Sequence, residues 1–274
     1  MTTMNLAEYE KEQIRAINEW RMEKPTEINT ALGYVMFPIS IFIQTIVPKS
    51  AIRSAMDGTS AAAEWLADEG DILRKGEVSD IEVLKSKGLM LSDKLANEIH
   101  NWAIGIASAE GVGSGSLGIF GLAIDIPFII TFALRTIHKI GFCYGYKTKY
   151  EENKHFILAL LSAASANTAN EKAEAVKILR SIDVIVVKQT LKNVKVAQQQ
   201  LVKEAVIISM NTLVRQLGLN ITKRKALQAI PAIGAVVGGS VNAWFIKDVG
   251  WAARRAFQER WLIENNMIEV RDCK

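Results

Sequence analysis

Residues 92–134 read SDKLANEIHNWAIGIASAEGVGSGSLGIFGLAIDIPFIITFAL, and this stretch decides the fold. From Ser92 to Glu110 the apolar residues recur at helical spacing, with Ser92 placed as an N-cap ahead of Asp93. From Gly111 to Leu134 follow 24 residues with a single charge, Asp125. Alternation with period two, the mark of a half-buried strand, is almost absent from the chain. Its five prolines lie far enough apart to leave long helices between them. The expectation is an all-α protein, a single multi-helix bundle with glycine-rich, closely packed central helices.

The glycines explain the close packing. Gly111, Gly113, Gly115, Gly118 and Gly121 fall within eleven residues, and Gly234, Gly238 and Gly239 form a second cluster. Each glycine weakens a helix by about 0.8–1 kcal/mol relative to alanine, so several together imply a compensating gain. Gly111 with Gly115, and Gly234 with Gly238, have the small-xxx-small spacing that lets two helix backbones approach. On that reading Ala103, Ala107, Gly111 and Gly115 form a groove that receives Gly234, Gly238 and Asn242, with the Asn242 amide bonding across it. Gly113, Gly115 and Gly118 also match the dinucleotide pattern G-x-G-x-x-G, but helix rather than strand precedes them, which removes the geometry that makes the pattern bind phosphate.

Working outward, Leu6 to Met22 reads as an amphipathic helix ending before Pro25, and Thr59 to Asp71 as another. Glu171 to Leu217 reads as the clearest long helical stretch and Asp248 to Ile263 as a final amphipathic helix. One domain over 1–270 is expected, with a frayed tail at 271–274. Three uncharged or nearly uncharged stretches, 28–48, 111–134 and 226–246, approach the roughly 20 apolar residues of a membrane span. Prolines interrupt each: Pro38 the first, Pro127 the second, Pro231 the third. Asp125 is read as an N-cap with Pro127 in the first turn, and the stretches as helical hairpins or buried core helices rather than spans.

Charge and composition exclude several classes. Lys and Arg total 33 against 29 acids, a net +4 that is too weak for nucleic-acid binding. Eleven of the cations lie between Lys172 and Lys225, a candidate basic face for an anionic membrane surface or a membrane protein. The two cysteines, Cys143 and Cys273, form neither a disulfide framework nor a metal motif, and the N-terminus lacks a signal-peptide pattern. A cytoplasmic protein, peripheral on the inner membrane face, is the expectation. His100, His138 and His155 lack metal-ligand spacing, Cys143 reads as a small core residue, and neither a catalytic motif nor a cofactor is indicated. Glu110, Asp125 and Arg135 are charges in apolar helix, and a structural Glu110–Arg135 pair is favoured over acid–base chemistry.

The run His100-Asn101-Trp102-Ala103, then Ala109-Glu110-Gly111, the glycines to Gly121, Asp125-Ile126-Pro127, Arg135 and Tyr144-Gly145 resembles the EcsC protein family. So do Ile230-Pro231-Ala232-Ile233-Gly234-Ala235-Val236-Val237-Gly238, Asn242, Ala252, Phe257 and Arg260, with Tyr9, Glu10 and Trp20 nearer the start. The family is named for a bacterial protein encoded beside components of an ABC transporter. The resemblance implies bacterial origin and a transport-linked accessory role, and it supplies no catalytic residues. A non-enzymatic protein that docks on a membrane surface or a membrane transporter is therefore expected. Two alternatives remain: a lipid-directed enzyme or ligand-binding protein with a pocket at Glu110, Asp125 and His100, and a membrane-inserting pore former.

Overall fold

The computed structural model describes residues 6–24, 67–114, 118–147, 150–190 and 231–268. Side chains are described within these ranges except for Leu6 and residues 110–127, 150–155, 183–190 and 231–241. Seven α-helices and one 3₁₀ helix account for nearly all of these residues, and there is no strand among them. They are α1 (Leu6–Met22), α2 (Gly70–Gly76), the 3₁₀ helix Ile81–Ser86, α3 (Leu89–Ser114) and α4 (Gly118–Cys143). After these come α5 (Tyr150–Ala164), α6 (Ala169–Thr190) and α7 (Pro231–Glu264). The all-α expectation holds.

Helix α7 is the axis of the bundle. Its 34 residues span about 51 Å at the rise of an α-helix. From Ala252 to Ile263 every residue but Arg255 is buried. That explains why it lacks a clean apolar stripe: a helix covered on all sides has no solvent face to mark. Helix α3 runs antiparallel along it, and α1, α4, α5 and α6 pack around the pair. Leu95, Ala96 and Ala103 of α3, Ile137 and Ile140 of α4, Phe156 and Leu160 of α5, and Phe245, Val249 and Phe257 of α7 belong to one continuous core. Phe257 stacks on Tyr144 and Tyr146, with ring centroids 6.2 and 5.7 Å away.

Several boundaries differ from the sequence reading. Helix α3 begins at Leu89, so Ser92 lies inside it and is fully buried, not an N-cap. The break that a cap would have marked is made by Gly88, whose φ of +94° separates the 3₁₀ helix from α3. Asp125 and Pro127 lie well inside α4, which starts at Gly118. Pro127 forfeits one backbone hydrogen bond, but the apolar residues before it close theirs only by remaining helical. Pro231 is the first residue of α7, the position at which its missing N–H is no loss. The stretches 226–246 and 248–263 form one unbroken helix from Pro231 on. In the expected helix 59–71, residues 67–69 are not helical and α2 starts at Gly70. The stretch 28–48, Gly115, residues 191–225 and the tail 271–274 lie outside the described residues. Among the described residues no helix is long and apolar enough to cross a membrane.

Candidate functional site

Polar chemistry concentrates where α1, α3, α4 and α7 meet. Asp93, buried on α3, accepts three hydrogen bonds: Tyr9 Oη to Oδ2 at 2.7 Å, and Tyr144 Oη and Gln258 Nε2 to Oδ1 at 2.5 and 2.6 Å. Burial and the Asp93 charge push both phenols well above the usual tyrosine range, so they remain protonated donors. Gln258 reaches on to Gln13, and Arg255 Nη1 donates to Gln13 and Gln258 at 3.1 and 2.8 Å. Arg254 Nη1 donates to Asn97 at 2.9 Å. Asp93 thus takes donors from α1, from α7 and from the turn that follows α4. That arrangement ties these elements together around one buried carboxylate.

Two turns further along α3 from Asp93, His100 packs edge-on to Trp251, with centroids 5.5 Å apart. Its Nε2 donates to the Lys247 carbonyl at 3.0 Å. Burial, reinforced by the Arg254 charge, pushes the imidazole pKa down to about 4, so the ring is neutral near pH 7. Gly250 of α7 makes this fit: a Cβ there would stand 2.1 Å from His100 Cδ2. Cys143 is fully buried, its Sγ 3.2 Å from the Lys139 carbonyl, and burial pushes the thiol well above its ordinary range. It is a core residue, not a nucleophile.

A cleft of about 590 Å³ opens beside this centre, between α1, the α5–α6 corner and α7. Trp20, Trp251, Lys172, Arg255 and the alanines Ala163 and Ala164 line it, with Glu19, Glu23 and Asp248 also present. Lys172 lies 4.9 Å over the Trp20 ring and donates to the Glu23 carbonyl at 3.0 Å. Arg254 and Arg255 lie 4.5 and 5.0 Å from the Trp251 ring centre.

The sequence-predicted residues are distributed differently. His100 touches Trp251, a wall of the cleft. Glu110 is ten residues farther along α3, about 15 Å by helix rise, so the two are not neighbours. Arg135 lies 5.0 Å over the Trp102 ring, and burial lowers its pKa against the pull of Asp71 and Asp68. The side chains of Glu110 and Asp125 lie outside the described residues, and with them the Glu110–Arg135 pair. Ala103, Ala107 and Asn242 are buried. The Asp93–Gln258 and Asn97–Arg254 contacts fix the antiparallel register of α3 and α7. Continued, it sets Gly111 level with Ser240, one residue from Gly239 and two from Gly238. The described part of the basic stretch turns partly inward: Lys172 is buried, and Arg180 pairs with Glu259 at 3.3 Å.

Sequence reasoning missed Asp93, Arg254, Arg255, Gln258 and Gly250. A readable signal existed for Asp93, which shares the α3 stripe of Leu89, Ala96 and Ala103, where a carboxylate needs partners. Among the described residues no group of three or more His, Cys, Asp or Glu side chains is placed to hold a metal ion.

Fold and centre together define an all-helical scaffold whose buried ionisable groups lock helices to one another. The chain belongs to the EcsC protein family, whose sequence model matches residues 11–262. It is 25% identical over 226 residues to Protein EcsC of Bacillus subtilis (strain 168), covering 81% of this chain and 80% of that one. It is 23% identical over 247 residues to "Uncharacterized protein YdbA" of the same organism, covering 88% and 80%. No solved structure matches it.

Proposed function

We propose that this is a non-enzymatic accessory protein that docks on a membrane surface through a face shared by α3 and α4. The carrying observation is an exposed aromatic pair on that face. Trp102 on α3 is 50% exposed and Phe128 on α4 is 39% exposed. Phe132 joins them, 6.3 Å from Trp102 and 5.9 Å from Phe128, with the Arg135 guanidinium over Trp102. Large apolar rings are ordinarily buried, while aromatic rings beside a cation suit the headgroup level of a bilayer. Beyond them the sequence from Gly111 to Ile124 has no charge, and neither do the first 16 residues of α7. The aromatic pair supports this reading better than the basic stretch does, because in the described part of that stretch Lys172 is buried and Arg180 is paired with Glu259.

Liposome flotation tests it. The wild type floats with phosphatidylglycerol-containing vesicles, and a Trp102→Ala, Phe128→Ala double variant loses about tenfold or more in partitioning. That loss follows from about 1.5–3 kcal/mol per large apolar side chain withdrawn from water. A wild type that stays unbound at low salt on both zwitterionic and anionic vesicles overturns the lipid reading.

A further inference from the structure

The cleft carries an inference independent of membrane docking. Arg254 and Arg255 both lie against the Trp251 ring, and among the described residues neither meets a carboxylate. Their hydrogen bonds go to the neutral amides of Asn97, Gln13 and Gln258. Asp93, whose charge acts on Arg255, takes its own hydrogen bonds from Tyr9, Tyr144 and Gln258. One buried carboxylate for two partly desolvated cations leaves an excess of positive charge, which a bound anion relieves. Arg255 is the one that lines the open cleft. Among the described residues it bonds through Nη1, and its Nε has no hydrogen-bond partner there. A guanidinium has five N–H donors in a fixed fork, so donor capacity remains for an acidic group.

We propose that the cleft binds a small amphipathic anion with a single acidic group, a carboxylate or phosphate monoester carrying an apolar chain or ring. Its acidic group sits against Arg255, and its apolar body lies along Trp20, Ala163 and Ala164. The alanines leave room where larger side chains would close the cleft. Glu19, Glu23 and Asp248 disfavour a further acidic group elsewhere on the ligand, which limits it to one.

The full-length protein is titrated with octyl phosphate and with octyl glucoside, each below its micellar concentration, and followed by tryptophan fluorescence and calorimetry. The expected result is saturable 1:1 binding of octyl phosphate, at least about tenfold tighter than octyl glucoside, the scale of one charge-assisted contact. Arg255→Gln abolishes the preference. Should that variant fold poorly, Lys247→Gln, on the exposed rim, gives a smaller, salt-dependent loss. Displacement of bound anilinonaphthalene sulfonate by octyl phosphate but not by phosphatidylglycerol vesicles assigns the cleft to a free ligand; displacement by both assigns it to a lipid. The Trp102→Ala, Phe128→Ala variant retains cleft binding, which separates this proposal from membrane docking. Equal binding of the charged and uncharged amphiphiles, or no saturable binding of octyl phosphate by the wild type, overturns it.

Discussion

At Gly250 one missing carbon decides how two central helices meet. Glycine inside a helix weakens it by about 0.8–1 kcal/mol, but here it lets the His100 ring lie against the α7 backbone. Gly250→Ala is expected to destabilise the protein by about 3 kcal/mol, the upper end for overpacking, in urea unfolding. Combining it with His100→Ala should recover part of that loss, since the clash needs both side chains. His100 also makes stability depend on pH. The unfolded ring takes up a proton below about 6.5 and the folded ring only below about 4. Between those values the unfolded state binds more protons, so stability falls as pH falls, by on the order of 3 kcal/mol across the window. Urea midpoints at pH 7 and pH 5 should show that fall, and His100→Gln should flatten it. Neither residue's partner was legible in the sequence, because 150 residues separate them and only the α3–α7 register brings them together.

Among the elements, α6 shows how local chemistry sets a helix start. Thr168 Oγ1 accepts from the Glu171 N–H at 3.2 Å, and Glu171 Oε2 accepts from the Asn167 N–H at 2.8 Å, a close variant of the capping box. Thr168→Ala should cost about 1 kcal/mol in thermal or urea unfolding. Signals of this kind lie within four residues and can be read from the chain. The starts of α3 and α4 could not be read so, because Ser92 and Asp125 carry plausible cap chemistry while the helices begin earlier. At α3 the decisive feature is the positive φ of Gly88; at α4 it is the apolar run that stays helical through Pro127. Helix α7 illustrates the same limit. Periodicity suggested separate segments, yet burial on every side makes 34 residues one helix.

For the whole molecule, ion pairs tie the first helix to the last. Buried Glu259 of α7 pairs with Arg21 of α1 and with Arg180 of α6. Removing that charge leaves two cations unpaired, so Glu259→Gln should destabilise by about 3 kcal/mol and speed hydrogen exchange in α1 and α6 together. An exchange change confined to one helix would mean that the clamp does not couple them. The sequence by itself determined the helical class and the family. Helical periodicity, sparse prolines and spaced glycines are local properties that survive without knowing which elements touch. Only the tertiary structure decided where the site lies. Asp93 with its donors, Gly250 against His100, and Arg255 at the mouth of a cleft are pairings between helices far apart in the chain. Their chemistry arises when packing removes water and fixes which polar group faces which.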